Sequence, residues 1–132
     1  MIRSFGRPIF KWNPIGGADD FGKNLYQNIL SRDPEDAVRV GWENNFRSDG
    51  MASTFTKFFT SDEFILMRLP HEDIVDKLYR SILGRECRGD EKTDQVDRLK
   101  NGVAIFFIIN DLARSDEYKQ RVLLRGAPSF NI

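Results

Sequence analysis

The side chains best suited to catalysis are His71 and Cys87, the single histidine and the single cysteine of the 132-residue sequence. A cysteine nucleophile needs a base within hydrogen-bond reach. A predicted helix separates these two residues, and the sequence around them shows no signature of a Cys–His catalytic dyad. One cysteine also excludes an internal disulfide and a multi-cysteine metal site. We therefore expect an ordinary thiol, an exposed histidine at a helix start, and no enzyme.

A second group with potential chemistry is an acidic run that could be mistaken for a metal cluster. Its members are Glu86, Asp90, Glu91, Asp94 and Asp97. The run lacks the spacing of a calcium-binding loop, and basic residues alternate with it, which is typical of a solvated helix face. No phosphate-binding or dinucleotide-binding glycine pattern occurs in the sequence. We expect no catalytic residue, no metal and no cofactor.

Charge and hydropathy exclude further classes of function. The 20 basic residues cancel the 20 acidic residues, so no net charge steers the chain toward nucleic acid. The longest apolar run, residues 103–109, is too short to cross a bilayer. The first residues are interrupted by Gly6, Pro8 and Lys11, so we expect no signal peptide, no membrane insertion and a cytoplasmic protein.

The most distinctive sequence in the chain is present twice. LYQNILSRD at residues 25–33 is followed by LYRSILGRE at residues 78–86, and SDEF at residues 61–64 by SDEY at residues 115–118. Asp49-Gly50 between the first two blocks corresponds to Asn101-Gly102 between the second two. This duplication predicts two tandem helical repeats of three to four short helices, residues 18–69 and 71–123, packed as one pseudo-symmetric all-α domain.

Capping signals and apolar spacing set the expected elements. We expect helices over residues 18–31, 33–46, 51–59, 61–69, 71–83, 88–100, 103–109 and 115–122, with an extended arm at 1–17 and a tail at 124–132. Gly50 and Pro70 are expected to end helices, and Gly84 to be left-handed. Residues 103–109 could be a buried strand, but a lone strand would lack a pairing partner, so we expect a helix buried on most sides.

The duplicated residues are expected to build the joint between the two repeats. Leu25, Ile29, Phe58, Leu78, Ile82 and Phe106 are expected near the middle of a shared core. Tyr26 and Tyr79 are expected to be packed, with their hydroxyl groups bonded to backbone or to an acid. Arg32 and Arg85 fall at helix C-termini, where a cation complements the dipole, and Glu63 and Glu117 are their expected ion-pair partners.

The arm contains apolar side chains that follow no helical or strand period for long. The predicted partner-binding residues are Phe5, Ile9, Phe10 and Trp12, and Ile15 follows them. Pro8 and Pro14 prevent a helix across the segment. The arm can either lie over its own domain or anchor in a groove on a partner chain.

The residues that carry a family resemblance are LYRSILGRE at 78–86, RLKNG at 98–102 and ARSDEY at 113–118. In this order they resemble the linker-polypeptide domain of cyanobacterial phycobilisomes and a related bacterial tandem repeat of unassigned function. The first half carries weaker versions, and the resemblance spans residues 20–123. It implies an all-helical, non-catalytic linker or scaffold protein that docks into a larger assembly.

The resemblance also implies partners and a location. The partners would be other protein subunits, including pigment proteins, in the cytoplasm or at the cytoplasmic face of a photosynthetic or other membrane assembly. The chain departs from such linkers in being neutral, whereas they tend to be basic. The alternative is a small-ligand or glycan-binding accessory module, which requires exposed Tyr26, Trp42 or Tyr79.

Overall fold

The computed structural model describes residues 22–35 and 42–125, and the side chains of residues 42–50 and 122–125 are outside this description. Within these ranges the chain is helical and contains no strand, which confirms the predicted all-α class. The predicted arm, with Phe5, Ile9, Phe10 and Trp12, lies outside the described residues, as does the tail beyond residue 125. No helix of the described part is long and apolar enough to traverse a lipid bilayer.

The described ranges contain α-helices and two π-helical segments. The α-helices are α1 (Trp42–Phe59), α2 (Asp62–Leu66), α3 (His71–Leu78), α4 (Gly89–Lys100), α5 (Ile105–Ala113) and α6 (Asp116–Arg125), and the π-helical segments are π1 (Tyr26–Leu30) and π2 (Tyr79–Leu83). Residues 22–25 are α-helical and lead into π1. The last helix thus extends three residues beyond the expected residue 122.

The two π-helical segments coincide with the two copies of the duplicated motif, where the sequence predicts ordinary α-helix. Each ends at a left-handed residue, Ser31 with φ 59° and Gly84 with φ 70°. The left-handed Gly84 is therefore confirmed, and Ser31 adopts the same conformation although it carries a Cβ atom. The pseudo-symmetric packing of the two repeats stays a prediction.

The predicted helix end at Gly50 is wrong, because α1 runs without interruption from residue 42 to residue 59. At the corresponding place in the second half, the predicted break at Gly102 is confirmed. Gly102 has φ 86°, and the N–H groups of Gly102 and Val103 bond to the carbonyls of Leu99 and Arg98. This is a Schellman arrangement, which ends α4 and redirects the chain into α5.

The predicted start signals of the short helices are confirmed, whereas one predicted stop is wrong. Ser61 Oγ accepts from Phe64 N at 3.2 Å, and Ser115 Oγ accepts from Tyr118 N at 3.1 Å. Helix α2 ends at Leu66, before the expected stop at Pro70. The predicted helix start after Pro70 is confirmed: Pro70 is the N-cap of α3, since its fixed φ suits an extended residue ahead of a helix.

The core contains most of the residues expected there. Leu25, Ile29, Leu78 and Ile82 are at most 1% exposed, and Phe58 packs at the core's edge. Phe106 is 43% exposed, so its predicted place in the core is wrong. The expectation that its helix is buried on most sides is wrong for the same reason: α5 has one face on the core and one in solvent.

Candidate functional site

The first of two Tyr–Arg–Glu clusters joins the end of π1 to the start of α2. Arg32 donates to both carboxylate oxygens of Glu63, at 2.6 and 2.9 Å. The same guanidinium lies 5.1 Å from the ring centroid of Tyr26 and donates to the Asp33 carbonyl at 2.8 Å. This first cluster (Tyr26, Arg32, Glu63) confirms the predicted ion pair and fixes the two segments to each other.

The second cluster (Tyr79, Arg85, Glu117) makes corresponding contacts between the end of π2 and the start of α6. Arg85 donates to both carboxylate oxygens of Glu117, to Oε1 at 3.0 Å and to Oε2. Its guanidinium lies 5.3 Å from the Tyr79 ring centroid and donates to the Glu86 carbonyl at 2.9 Å. The predicted Arg85–Glu117 ion pair is thus confirmed, and the motif fixes this joint as it does the first.

Arg85 also binds a second carboxylate through two hydrogen bonds, whereas Arg32 has only a longer ion-pair contact of 3.4 Å with its second carboxylate, that of Glu35. Its guanidinium donates to Glu91 at 2.8 and 2.9 Å, and Glu91 Oε1 also accepts from the backbone N–H of Arg88 at 3.0 Å. The hydrogen bond from Arg85 lowers the pKa of Glu91 to about 2. Glu91 is therefore part of a three-segment junction, and the prediction of a fully solvated acidic face is wrong at this residue.

The two motif tyrosines are packed to different extents. Tyr79 is 3% exposed, and its hydroxyl accepts a hydrogen bond from Gln95 Nε2 at 3.3 Å. The predicted partner, backbone or an acid, is thus wrong for Tyr79, because α4 presents a carboxamide there. Tyr26 is half-buried, with its ring edge-on to Phe58 at 5.0 Å. Burial raises the pKa of both hydroxyl groups.

Two basic side chains, which the sequence did not single out, reach carbonyls at the ends of the π-helical segments. Lys77 Nζ donates to the Asn28 carbonyl and to Ser31 Oγ, both at 3.1 Å. Arg121 Nη1 donates to the carbonyls of Ser81 at 2.9 Å and Ile82 at 2.5 Å. Asn28 and Ser81 occupy the same place in the two motif copies. This correspondence is the sequence signal that could have indicated that both carbonyls accept a hydrogen bond from a basic side chain.

The residues considered for catalysis lie at opposite ends of the continuous helical segment formed by α3 and π2. His71 is the first residue of α3 and is half-buried rather than exposed. Cys87 lies sixteen positions later, half-buried beyond the end of π2, where burial raises the pKa of its thiol to about 11. A thiol with a raised pKa holds little thiolate at neutral pH and is a poor nucleophile.

The acidic run does not form a metal site in the described part of the chain. Among these residues, no group of three or more His, Cys, Asp or Glu side chains has the geometry to hold an ion. Glu86 pairs instead with Arg80 at 3.2 Å. The acidic side chains therefore belong to ion pairs and to solvent.

Among the residues that the structure describes, the surface features most suited to binding are two pairs of exposed apolar side chains. The Phe106–Phe107 pair on α5 is exposed to 43% and 57%, and the Ile65–Leu66 pair on α2 to 59% and 70%. The rings of Phe106 and Phe107 lie edge to face with centroids 5.7 Å apart. Large apolar side chains that stand together in solvent mark interaction surfaces more often than isolated ones.

The residues required by the glycan-binding alternative are poorly placed for it. Tyr79 is buried beneath Arg85, and half of Tyr26 is covered by Phe58 and Arg32. The side chain of Trp42 lies outside the described residues. A stacking platform for a sugar ring needs an open aromatic face, which Tyr79 does not offer.

Comparison with protein-family models, with curated proteins and with solved structures returns no significant match to this chain. In the described part of the chain the duplicated motif forms joints between helices, and the exposed apolar pairs lie on the surfaces that these joints hold in place.

Proposed function

We propose that the chain is a non-catalytic structural linker or scaffold protein that docks into a larger protein assembly. The observation that carries this proposal is the Phe106–Phe107 pair, two exposed aromatic rings on a helix whose other face is core. Aromatic side chains dominate the energetics of protein interfaces, and each Å² of apolar surface removed from water contributes about 25 cal/mol.

The rigidity of the surroundings supports this function. Ile108 and Ile109, next to the aromatic pair, are 0% exposed and fix α5 to the core. The second cluster holds the start of α6, the helix that follows α5, against the end of π2. A binding surface on a well-held helix loses little conformational entropy when a partner docks.

The resemblance of the duplicated motif to phycobilisome linker domains supports the same class of function. It suggests protein subunits, pigment proteins among them, as the partners and the cytoplasm as the location. The neutral net charge fits protein subunits better than nucleic acid. Under this proposal the chain requires no cofactor.

The proposal is tested by purifying the tagged full chain from extract of its native host. We expect wild-type protein to retain a defined set of proteins in fixed stoichiometry, and the double variant F106S/F107S to lose them. The matched control I65S/L66S removes an exposed apolar pair from a different helix and should retain them. Equal retention by all three proteins, or none by any, would contradict the proposal.

Two additional measurements define the assembly. Visible absorption of the purified complex shows whether bilin pigments accompany the partners. Deletion of residues 1–17 is expected to leave a helical domain, measured by circular dichroism, that no longer assembles. Normal assembly of the shortened chain would show that the arm is not needed for assembly.

A further inference from the structure

We infer that the exposed face of α2 is a docking surface for a second copy of this chain, and that two copies pair through it about a two-fold axis. This self-association is a different contact from the docking of partner proteins at Phe106–Phe107. Three observations carry it: an exposed apolar pair, opposite charges on either side of that pair, and the residues at the corresponding place in the second half.

The exposed face of α2 is apolar. Phe64 is buried and fixes the helix to the core, whereas Ile65 and Leu66 are exposed to 59% and 70%. Met67 and Leu69, which follow in the chain, are half-buried and add apolar surface at the margin. Exposed apolar side chains that stand together within a polar surround are typical of protein interaction sites.

The fold does not require this apolar pair. Ser61 and Ser115 cap helices at the two SDE sequences of the duplication. The Ile65–Leu66 pair begins four residues after Ser61, whereas the residues at the same distance after Ser115, 119–120, are lysine and glutamine and are exposed. Because a helix with the same start signal accepts solvated side chains at these positions, the apolar pair of α2 serves a contact at the surface.

Opposite charges stand at equal distances on either side of Ile65. Asp62 precedes it by three residues and Arg68 follows it by three, and both are exposed. Neither side chain has an ion-pair or hydrogen-bond partner within the part of the chain that the structure describes. Arg68 also has φ 53°, a left-handed conformation in which glycine would be less strained. Strained residues of this kind cluster at functional sites.

This order of charges is self-complementary. A two-fold axis through Ile65 places the α2 helices of two copies in opposite directions, so that Asp62 of each copy lies opposite Arg68 of the other. Positions 62, 65 and 66 share one face of the helix, because residues three and four apart are neighbours. The net charge of zero also means that two copies do not repel each other at long range. A second copy is therefore the partner that these charges fit.

The contact surface is small, so the dimer is weak. A stable interface of standard size buries about 800 Å² on each partner, which is more than the apolar side chains of one short helix provide. We expect a dissociation constant on the order of 100 µM. The apolar pair sets the strength of the contact, and the two ion pairs set its orientation.

The test measures the mean mass of the full chain by analytical ultracentrifugation from about 10 µM to about 1 mM, on either side of the expected dissociation constant. Wild-type protein should rise from the mass of one chain toward that of two. I65K/L66Q, which introduces the residue types that the second half carries at these positions, should stay monomeric, whereas F106S/F107S should dimerise like wild type. Circular dichroism checks that each variant is helical.

Three results would overturn the inference. Wild-type protein that stays monomeric would leave the α2 face to a partner of another kind. Undiminished association of I65K/L66Q, or its loss in F106S/F107S instead, would place the contact elsewhere. A mass that rises beyond two chains would exclude a closed two-fold pair.

Charge reversal tests the two-fold orientation. D62R and R68D each place like charges opposite one another in a dimer of identical copies, and each should weaken it about tenfold. A mixed dimer of the two variants has opposite charges at both places, so an equimolar mixture should associate like wild type. A mixture that associates no better than the separate variants would overturn the two-fold contact. Retention of partner proteins from extract is measured separately, so this inference and the proposed function can fail independently.

Discussion

The two halves of the chain fold differently between their shared motifs. In the first half, α1 continues through Gly50 to Phe59, whereas in the second half a turn at Gly102 separates α4 from α5. The sequences are alike at this place, with Asp49-Gly50 answered by Asn101-Gly102. A glycine after a short polar residue is therefore not by itself a helix end.

The conformation and surroundings of the two glycines differ. Gly102 has a positive φ that closes a Schellman arrangement, whereas Gly50 lies inside a helix that continues into the core. Glycine within a helix costs about 1 kcal/mol relative to alanine. Burial of Met51, Phe55 and Phe59 in the following turns offsets that cost.

The two joints, in contrast, share their main contacts and differ in how closely the arginine binds its second carboxylate. Both Arg32 and Arg85 lie near a tyrosine ring and bind a glutamate at the start of a later helix. Arg85 alone also binds Glu91 through two hydrogen bonds, whereas the further partner of Arg32 is the exposed Glu35 at 3.4 Å. The second joint should therefore contribute more to stability.

The largest expected effect tests this difference. Arg85→Met removes the guanidinium that donates two hydrogen bonds to each of Glu91 and Glu117, leaving Glu91 with its contacts to Arg88, and is expected to lower the free energy of unfolding by about 2–3 kcal/mol. Arg32→Met should cost clearly less, since Glu63 is 43% exposed and regains water. Urea unfolding followed by circular dichroism measures both. Equal losses would show that the additional carboxylate contributes nothing.

The next largest effect concerns the left-handed residues that end π1 and π2. Gly84→Ala combines a left-handed alanine with a Cβ atom 3.0 Å from Arg121 Nε, so we expect a loss of about 2 kcal/mol. Ser31→Gly removes the strain of a left-handed serine and one bond to Lys77, and should change stability by less than about 0.5 kcal/mol. Thermal unfolding measures the stability of both variants. A small loss for Gly84→Ala would mean that the Arg121 side chain moves away from the added Cβ atom at little cost.

Gly50 and Gly102, the two corresponding glycines at which the sequence predicts a helix break, can be compared through the same substitution to alanine. Gly102→Ala forces alanine to a positive φ and is expected to cost about 1–2 kcal/mol. Gly50→Ala replaces glycine inside α1 and should stabilise the fold by about 0.5–1 kcal/mol. Opposite shifts of the urea midpoint are the expected result. Shifts of the same sign would contradict the difference drawn between the two halves.

The smallest expected effect is a dependence on pH. The pKa of Glu91 is lowered from 4.5 to about 2, chiefly by the hydrogen bond from Arg85. Its stabilising contribution is therefore complete above about pH 4.5 and is lost as the pH falls through about 2. Glu91→Gln should reduce the loss of unfolding free energy between about pH 4.5 and about pH 2 by about 1 kcal/mol. Glu63→Gln, in the more exposed pair, should reduce this loss by a smaller amount.

Much of the architecture could be predicted because local signals and tertiary needs agree. Ser61 and Ser115 precede acidic residues and cap helices as their hydroxyls predict. The pairing of Arg32 with Glu63 and of Arg85 with Glu117 followed from the constant spacing of the duplication. These features depend on neighbours in sequence or on a repeated pattern, both of which one sequence displays.

The errors share a different cause. The local sequence predicts a helix end at Gly50 and burial of Phe106. Packing against distant segments decides whether a glycine continues a helix and which face of an apolar helix is covered. No particular amino-acid composition marks a π-helical segment such as those that contain Ile29 and Ile82. The contacts of Lys77 and Arg121 depend on how helices cross, which side-chain type alone does not specify.

The contacts of Lys77 and Arg121 have a consequence for synthesis on the ribosome. The Asn28 carbonyl in the first half receives its donor from Lys77, which belongs to the second half, whereas the Ser81 carbonyl receives its donor from Arg121 within its own half. As the chain emerges from its N-terminus, the first motif must wait for residue 77 before this bond can form. Completion of the first half thus depends on the arrival of the second.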